Sequence, residues 1–450
     1  MGHPERFSRL SERESAMLDE RTPASAATFR RAAKVLAGGV ASSFQAREPW
    51  PIYIARGDGA RVWDVDGNEY FDFHNGFSAM LQGHAHPVIG AAVAERYERG
   101  THFAAPTEDA VAVAEELARR FGLPRWRFTN SGTESAMGAV RIARAVTGRD
   151  DVVKVIGSYH GHYDALLVGI GADHEQGVPL ATVDRVHPID FNDAAALERR
   201  IRGLKRDGRP AACVILEGAM THVGLALPQP GYLEQVREIT RRHGVLLVLD
   251  EVKTGLSIAA GGAVEHFGIE PDMLTLAKAL GGGLPTGAIG MSAEVGRTAE
   301  ERGVLHFGTF NGNPLSMAAA RANLVEVLTP DAYEQLFARN DRLAAGCDAV
   351  ITEWGMQAHS VRLGSKGCVF AGFEPVVDYR SFKGSQDPEL SRLTWLWLMN
   401  RGLFVTPGRG QEWNLSVAHS DDAVDRYVEA FSELGKELSL ISRLSGSARA

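Results

Sequence analysis

Lys278 is the side chain whose sequence surroundings most clearly suggest chemistry. It ends the apolar run DMLTLAK, and three glycines follow at 281–283. Only eight of the 48 basic residues are lysines, and an ammonium group in apolar surroundings is costly unless it is paired or neutralised. Desolvation lowers the pKa of a lysine and frees its amine to attack a carbonyl. We therefore interpret Lys278 as a nucleophile, with a lysine that reaches the surface as the alternative.

A second candidate is the acidic pair that ends another apolar run, VLLVLDE at 245–251. Ligands of open α/β sheets bind at the carboxyl ends of the strands, which is where Asp250 and Glu251 are expected. A carboxylate there could hydrogen-bond a cationic ring nitrogen, and such a bond is worth roughly 1.5–3 kcal/mol. A magnesium ligand and an ordinary acidic strand end are the competing interpretations.

A third candidate is the corner where RWRFTN meets Ser131, Gly132 and Thr133 and a helical pattern begins. Free N–H groups and the helix dipole can bind phosphate at such a corner. A plain helix N-cap explains the same residues, and the P-loop pattern is absent. Amine, carboxylate and phosphate corner together fit pyridoxal phosphate, whose protein partners are a Schiff-base lysine and an acidic residue at the pyridine nitrogen.

The elements that would position these groups alternate between short apolar runs and helical patterns over residues 75–323. This alternation predicts an α/β fold with a large, mostly parallel sheet. The predicted strands are RWRFTN, DVVKVI, ACVILEG, VLLVLDE, DMLTLAK and GAIGMS, and the clearest helices are ESAMGAVRIARAV and GYLEQVREITRRHG.

Both chain ends have a different pattern. GARVWDVDGNEYFDF predicts a small antiparallel element with a turn at its DG pair. Residues after 324 mix helices with isolated strands such as GCVFAGF and GLFVTP. We expect an N-terminal segment, 1–74, to join the C-terminal segment, 324–450, in one smaller α+β domain, with 75–323 as the cofactor-binding domain.

The composition indicates which kinds of binding partner to expect. The 450 residues carry a formal net charge of −8, so no basic excess suggests nucleic acid or an anionic membrane. The N-terminus has no apolar signal-peptide stretch, and no window is apolar enough for a membrane span. Three scattered cysteines predict neither a disulfide framework nor a metal site. These features favour a cytoplasmic protein with small-molecule ligands.

Five motifs in order make the chain resemble the class III, fold type I, pyridoxal-phosphate-dependent aminotransferases. The resemblance extends from about Gly38 to Ala430 and is closest to the glutamate-1-semialdehyde aminomutase branch. The motifs are NSGTESAMGAVRIAR, SYHGHYD, LDEVKTG, LAKALGGGLPTGAIG and HFGTFNGNP. Five motifs in this order are far more specific than any one of them.

The resemblance implies a role for each candidate. Lys278 would hold the cofactor covalently and shuttle a proton, and Asp250 would keep the ring nitrogen protonated. Tyr159 would stack on the ring, with Val252 on its opposite face. The phosphate would be held by the corner residues and, from the neighbouring subunit of a homodimer with shared active sites, by Thr309. A core tyrosine and a plain core valine are the alternatives for the two ring contacts.

Several positions depart from the aminomutase pattern. His222, in EGAMTHVG, replaces the asparagine expected near the ring hydroxyl, and Gln45 replaces an arginine expected to bind the substrate carboxylate. Arg47 and Arg409 are the remaining candidates for that carboxylate. GRG around Arg409 and a histidine like His222 also resemble an aminotransferase of a related branch that acts on an aromatic D-amino acid.

These departures favour a transaminase that moves an amino group from an amino acid or amine to a keto acid. The alternative is a glutamate-1-semialdehyde 2,1-aminomutase, which keeps the amino group on one substrate. A nucleotide-binding α/β protein without catalytic activity is a third hypothesis. The missing P-loop and the lack of a clear dinucleotide fingerprint argue against it.

Overall fold

The N-terminal part of the chain consists of two helices and a small antiparallel sheet in the computed structural model, which describes residues 3–406 and 412–446. The elements are α1 (His3–Arg21), α2 (Pro23–Ala32), β1 (Ile54–Asp58), β2 (Arg61–Asp64) and β3 (Glu69–Asp72). Strands β2 and β3 are antiparallel neighbours joined through Gly67, whose φ is 86°. The predicted turn at the DG pair is therefore confirmed.

A seven-stranded sheet follows. Its strands in chain order are β4 (Arg125–Thr129), β5 (Asp151–Val155), β6 (Val186–Ile189), β7 (Ala211–Leu216), β8 (Leu246–Asp250), β9 (Met273–Leu276) and β10 (Gly287–Met291). Their spatial order is β4-β10-β9-β8-β7-β5-β6, and β10 alone is antiparallel to its neighbours. All six predicted strands are present. Strand β6, with the sequence VHPI, was missed because its His187 and Pro188 interrupt the apolar pattern, which an edge strand tolerates.

Helices cover both faces of this sheet. They are α3 (Asn75–Ser78), α4 (Pro87–Glu98), α5 (Glu108–Phe121), α6 (Gly132–Thr147), α7 (Asp164–Leu167), α8 (Leu180–Val183), α9 (Ala194–Arg206), α10 (Tyr232–His243), α11 (Gly262–Phe267), α12 (Ala293–Glu301) and α13 (Pro314–Ala322). Successive residues of β7 belong to different apolar clusters, Val214 to one and Cys213 and Ile215 to the other. Burial on both faces explains why its sequence is a continuous apolar run.

The strand directions bring the candidate residues to one edge. Strands β5 to β9 are parallel, and β4 runs in the same direction as β9 because both are antiparallel to β10. The corner after β4, Asp250 at the end of β8 and Lys278 just after β9 therefore all lie at the carboxyl edge of the sheet.

The remaining elements form smaller sheets that involve both chain ends. They are α14 (Pro330–Trp354), β11 (Ala358–Leu363), β12 (Lys366–Ala371), α15 (Tyr379–Ser385), α16 (Pro388–Asn400), β13 (Leu403–Phe404), β14 (Glu412–Asn414) and α17 (Asp421–Gly446). Strand β13 pairs in parallel with β3, and the Phe73 ring packs 4.9 Å from the Tyr427 ring on α17. The chain ends thus pack on each other, while the domain boundaries at 74/75 and 323/324 stay a prediction.

Within the described residues, no helix combines the length and apolar character needed to cross a bilayer.

Candidate active site

Lys278 lies at the carboxyl edge of the central sheet, at the start of a tight helical turn, Lys278–Gly281. Its φ of 48° is left-handed, which costs roughly 1–2 kcal/mol in a residue with a Cβ. Burial and the nearby Lys253 ammonium lower the pKa of Lys278 to about 8, whereas Asp250 and Glu217 oppose this shift. A free amine is therefore accessible near neutral pH.

Asp250 is buried and receives hydrogen bonds from three separate parts of the chain. His160 Nδ1 lies 2.6 Å from Oδ2, while the Val252 N–H and the Thr275 hydroxyl donate to Oδ1 at 2.9 and 3.2 Å. Burial alone would raise the pKa of Asp250, but the His160 contact and the Val252 N–H outweigh it and hold the pKa below its usual value. The carboxylate is therefore ionised and oriented.

Glu251 points away from this arrangement. The Thr254 hydroxyl and the Val264 N–H donate to its carboxylate, at 2.5 and 3.1 Å. No group of three or more potential metal ligands occurs among the described side chains. The divergence of the two neighbouring carboxylates gives the magnesium interpretation no support.

His160 is a site residue that the sequence interpretation missed. Its side chain is buried, and its Nε2 has no hydrogen-bond partner among the residues that the structure describes. The available signal was its place in SYHGHYD, next to the candidate Tyr159. That motif alone could not show that His160 faces a carboxylate 90 residues away.

Glu217 was missed as well. It follows β7 directly, is buried, and accepts a hydrogen bond from the Thr221 hydroxyl. Burial and the nearby Asp250 carboxylate raise the pKa of Glu217. Lys253 donates to the Thr221 carbonyl at 2.5 Å, so these groups form a polar wall beside Lys278.

The proposed phosphate corner forms the first turn of α6. The Ser131 hydroxyl accepts from the Glu134 N–H at 3.2 Å, so this side chain caps the helix as the alternative interpretation stated. A Cβ on Gly132 would lie only 2.8 Å from a methyl group of Val252. The corner and the segment after Asp250 are therefore in direct contact, and only glycine fits between them.

The loop of residues 157–163 closes another side of the site. The Tyr159 ring is 39% exposed and stacks on His222, with ring centroids 5.6 Å apart and an interplanar angle of 27°. The His162 N–H donates to Thr133 Oγ1 at 3.0 Å. A Cβ on Gly161 would come within 2.6 Å of Thr133 Cα. The loop is thus tied to α6 as well as to Asp250.

A buried lysine also holds the loop of residues 157–163 in position. Lys154, on β5, is fully buried and donates to the carbonyls of Ser158, Leu166 and Val168 at 3.0, 2.8 and 2.9 Å. Burial lowers its pKa to about 7. Three carbonyl acceptors favour the ammonium form, because only that form has three N–H groups.

The remaining predicted site residues are Thr309, Arg47 and Arg409. Thr309 lies in an exposed turn. The Arg47 guanidinium stacks 4.1 Å from the Trp395 ring centroid and donates to the Trp50 carbonyl at 3.2 Å. Burial lowers the pKa of Arg47 to about 10. Arg409 lies outside the described residues.

Comparison with known proteins agrees with this geometry. The model of the family described as aminotransferase class-III matches residues 43–372. A glutamate-1-semialdehyde 2,1-aminomutase of Aquifex aeolicus (strain VF5) is 38% identical over 422 residues, which cover 91% of this chain and 99% of that protein.

Two solved structures extend the agreement to the fold. A glutamate-1-semialdehyde-aminomutase from Pseudomonas aeruginosa PAO1, in complex with PMP, has a TM-score of 0.90 and 32% identity, covering 96% of this chain and 99% of that one. An omega-transaminase from Sphaerobacter thermophilus has a TM-score of 0.87 and 36% identity, covering 93% and 99%. The predicted resemblance and the fold type I architecture are confirmed.

The site suits pyridoxal 5'-phosphate, the cofactor of the class III aminotransferases. A cationic ring nitrogen needs an ionised and desolvated partner, which describes Asp250. The N-terminus of the 16-residue helix α6 offers backbone N–H groups to a phosphate. Lys278 supplies an amine with a lowered pKa beside them.

We predict that Lys154→Met weakens cofactor binding by about tenfold or more, because three buried carbonyls lose their donor and the Tyr159–His160 loop loosens. The dissociation constant of pyridoxal phosphate, measured by titrating the cofactor-free protein, tests this. Lys205→Met is the matched control, since Lys205 is exposed on α9. Unchanged affinity in a folded Lys154→Met protein would contradict the role.

Proposed function

Because this chain belongs to the class III aminotransferase family, we propose that it is a pyridoxal-phosphate enzyme that moves an amino group within one carboxylate-bearing substrate. The reaction would be that of glutamate-1-semialdehyde 2,1-aminomutase. The observation that carries this proposal is the similarity to the Aquifex aeolicus aminomutase, which extends over nearly the full length of both chains at 38% identity. The sequence motifs led us to favour transfer to a second molecule, whereas the relatives support the intramolecular alternative better.

When bound, pyridoxal phosphate supplies a ring that accepts electrons from the carbon bonded to the migrating nitrogen. In our proposal Asp250 Oδ2 and Oδ1, held by His160, Val252 and Thr275, keep the ring nitrogen protonated. Lys278 Nζ would hold the cofactor until substrate binds and, once released as a free amine, would carry a proton between the two carbons that exchange hydrogen. Its lowered pKa suits both directions of proton transfer near neutral pH.

The other contacts are proposed from their positions. Ser131, Gly132 and Thr133 would hold the phosphate at the N-terminus of α6. Tyr159 and Val252 would enclose the ring, with His222 near the ring hydroxyl through its stacking on Tyr159. Arg409 and Arg47 stay candidates for the substrate carboxylate. Arg47 would first have to leave Trp395.

Transamination between two molecules is the second candidate function. It is favoured by Gln45, which is uncharged where the aminomutase pattern has an arginine, and by the similarity to the Sphaerobacter thermophilus omega-transaminase. The two reactions share every group described above. They differ in whether the first product leaves before the amino group is returned.

We also propose a homodimer that shares its active sites. Thr309 lies among exposed apolar side chains, of which Leu305, Phe307 and Phe310 are 64%, 84% and 56% exposed. Exposed apolar groups this close together are typical of a protein interface. Across that interface Thr309 would reach the partner's phosphate corner. A cytoplasmic location is proposed as well, in keeping with a sequence of only three cysteines, all of them buried.

To distinguish the two reactions, purified holoenzyme is given glutamate-1-semialdehyde alone. We expect 5-amino-4-oxopentanoate, the product of moving the amino group from carbon 2 to carbon 1, without any added keto acid. Alanine with 2-oxoglutarate as acceptor, and β-phenylalanine and 1-phenylethylamine each with pyruvate or 2-oxoglutarate, form the comparison. Turnover only in this second set would establish the transaminase instead.

We predict that Asp250→Asn lowers kcat by roughly 100-fold or more, since a neutral partner no longer favours the protonated ring. Glu251→Gln, the adjacent buried carboxylate that faces Thr254, is the matched control and should keep most of the activity. Steady-state kinetics with each cofactor-loaded variant measure both effects. Equal losses in the two variants would mean that Asp250 acts only on the fold.

Shared sites predict complementation between Lys278→Ala and Thr309→Glu, where the new carboxylate repels the phosphate. Heterodimers isolated with two different tags have one intact site and should show about half of the wild-type activity. Co-expressed Lys278→Ala subunits carrying the same two tags are the control. No recovery in the isolated heterodimer would place Thr309 outside the partner's site.

A further inference from the structure

We propose that Lys366, oriented by Ser78 and Asn414, binds a carboxylate group of the substrate. The inference rests on the proposed function, because it assigns a substrate-binding residue to the neighbourhood of Lys278. Lys366 is the first residue of β12 and is only 4% exposed. Its ammonium donates to the Ser78 hydroxyl and, at 3.2 Å, to Asn414 Oδ1.

Both direct partners of Lys366 are neutral. Within the described part of the chain, Glu412 and Glu217 attract Lys366 without a direct hydrogen bond. An ammonium has three N–H groups, and these contacts account for two of them. Buried charges in proteins are normally paired with opposite charge. The surroundings of Lys366 therefore lack the direct anionic partner that would stabilise its ammonium form.

The position of Ser78 connects this cluster to the reacting lysine. Ser78 ends α3, and α3 packs against the turn that begins at Lys278. Lys253 and Lys278 both lie close enough to act on Lys366, and with burial they drive its pKa well below the usual value. Three lysine side chains thus converge on one side of the site, and their mutual repulsion disfavours the charged form of Lys366. A carboxylate ligand would relieve their mutual repulsion.

The position of the Ser78 hydroxyl depends on an unfavourable backbone conformation. Asn75, Phe77 and Ser78 have φ values of 53°, 56° and 70°, so α3 is a single left-handed turn. Such conformations cost of order 1–3 kcal/mol for each residue and persist where the surrounding structure imposes them. Here Asp72 accepts from the Asn75 N–H at 2.8 Å, and Asn414 Oδ1 accepts from the Ser78 hydroxyl at 2.5 Å. The two acceptors that orient Lys366 are therefore already in place before a ligand binds.

The cluster also borders the segment where a substrate-binding arginine is missing. Phe44, next to Gln45, packs edge-on against Phe77, with ring centroids 5.3 Å apart, and Phe77 precedes Ser78 in the left-handed turn. The Phe44 ring is 60% exposed. The segment of the uncharged Gln45 is thus linked through Phe77 and Ser78 to Lys366, which would supply the cation from β12 instead.

Binding of paired probes to the holoenzyme tests the proposal. The pairs are alanine with ethylamine and 4-aminobutanoate with propylamine, and within each pair the amine lacks only the carboxylate. Dissociation constants come from the change in cofactor absorbance in wild type, Lys366→Met, Lys366→Gln and Lys366→Arg. Lys205→Met is the matched surface control.

We expect both neutral variants to weaken binding of at least one acid by about tenfold or more, the range of a lost charge-assisted hydrogen bond. Amine binding should stay within about twofold, and Lys366→Arg should keep part of the preference for acids. Lys366→Gln can still hydrogen-bond Ser78 and Asn414, so it separates charge from packing if Lys366→Met does not fold.

Three results would overturn the subsite: equal losses for acids and amines, no loss for either acid, or a wild-type enzyme that does not prefer acids. Because binding is measured without turnover, these results are independent of the assay that distinguishes aminomutase from transaminase. A failed aminomutase reaction with an intact, Lys366-dependent preference for acids would reject the reaction and keep the subsite.

Discussion

The contact between Asp250 and His160 is the interaction on which the rest of the site depends. A carboxylate buried at the end of β8 needs compensation, and His160 provides the largest part of it at 2.6 Å. The same contact pins the 157–163 loop over the sheet edge. Tyr159 and the contacts to Thr133 follow from the position of that loop. Electrostatic compensation of one buried charge thus determines the shape of the site.

Buried lysines are compensated in three different ways in this molecule. Lys154 donates to three backbone carbonyls and has a structural role, since these bonds hold the 157–163 loop. Lys278 has a lowered pKa and lies near Asp250 and Glu217, which suits an amine that exchanges protons. Lys366 has two neutral hydrogen-bond partners and a lowered pKa, which suits an amine that an anionic ligand would stabilise in its charged form. The kind of partner, more than burial as such, separates the three roles.

The joining of the two chain ends explains how one site draws on the whole chain. Strand β13 pairs with β3, and the Asn414 N–H donates to the Phe73 carbonyl at 2.8 Å. These bonds bring β14 beside the left-handed turn that carries Ser78. In our proposal the central sheet would provide the groups that bind the cofactor, and the joined chain ends would provide those that recognise the substrate. This division agrees with relatives that share the fold and differ in reaction.

Sequence by itself determined the strands that end at the site, because strands buried on both faces must be continuous apolar runs. It also identified Lys278 and Asp250, since a charged residue directly after such a run lies at the ligand edge of the sheet. Only the tertiary structure decided that Glu251 turns away from Asp250 and its partners. It also decided that His160 contacts Asp250, 90 residues away in the sequence, and that Lys366 contacts Ser78, 288 residues away. Those contacts depend on how loops and chain ends pack, and no local periodicity encodes the partner of a buried charge.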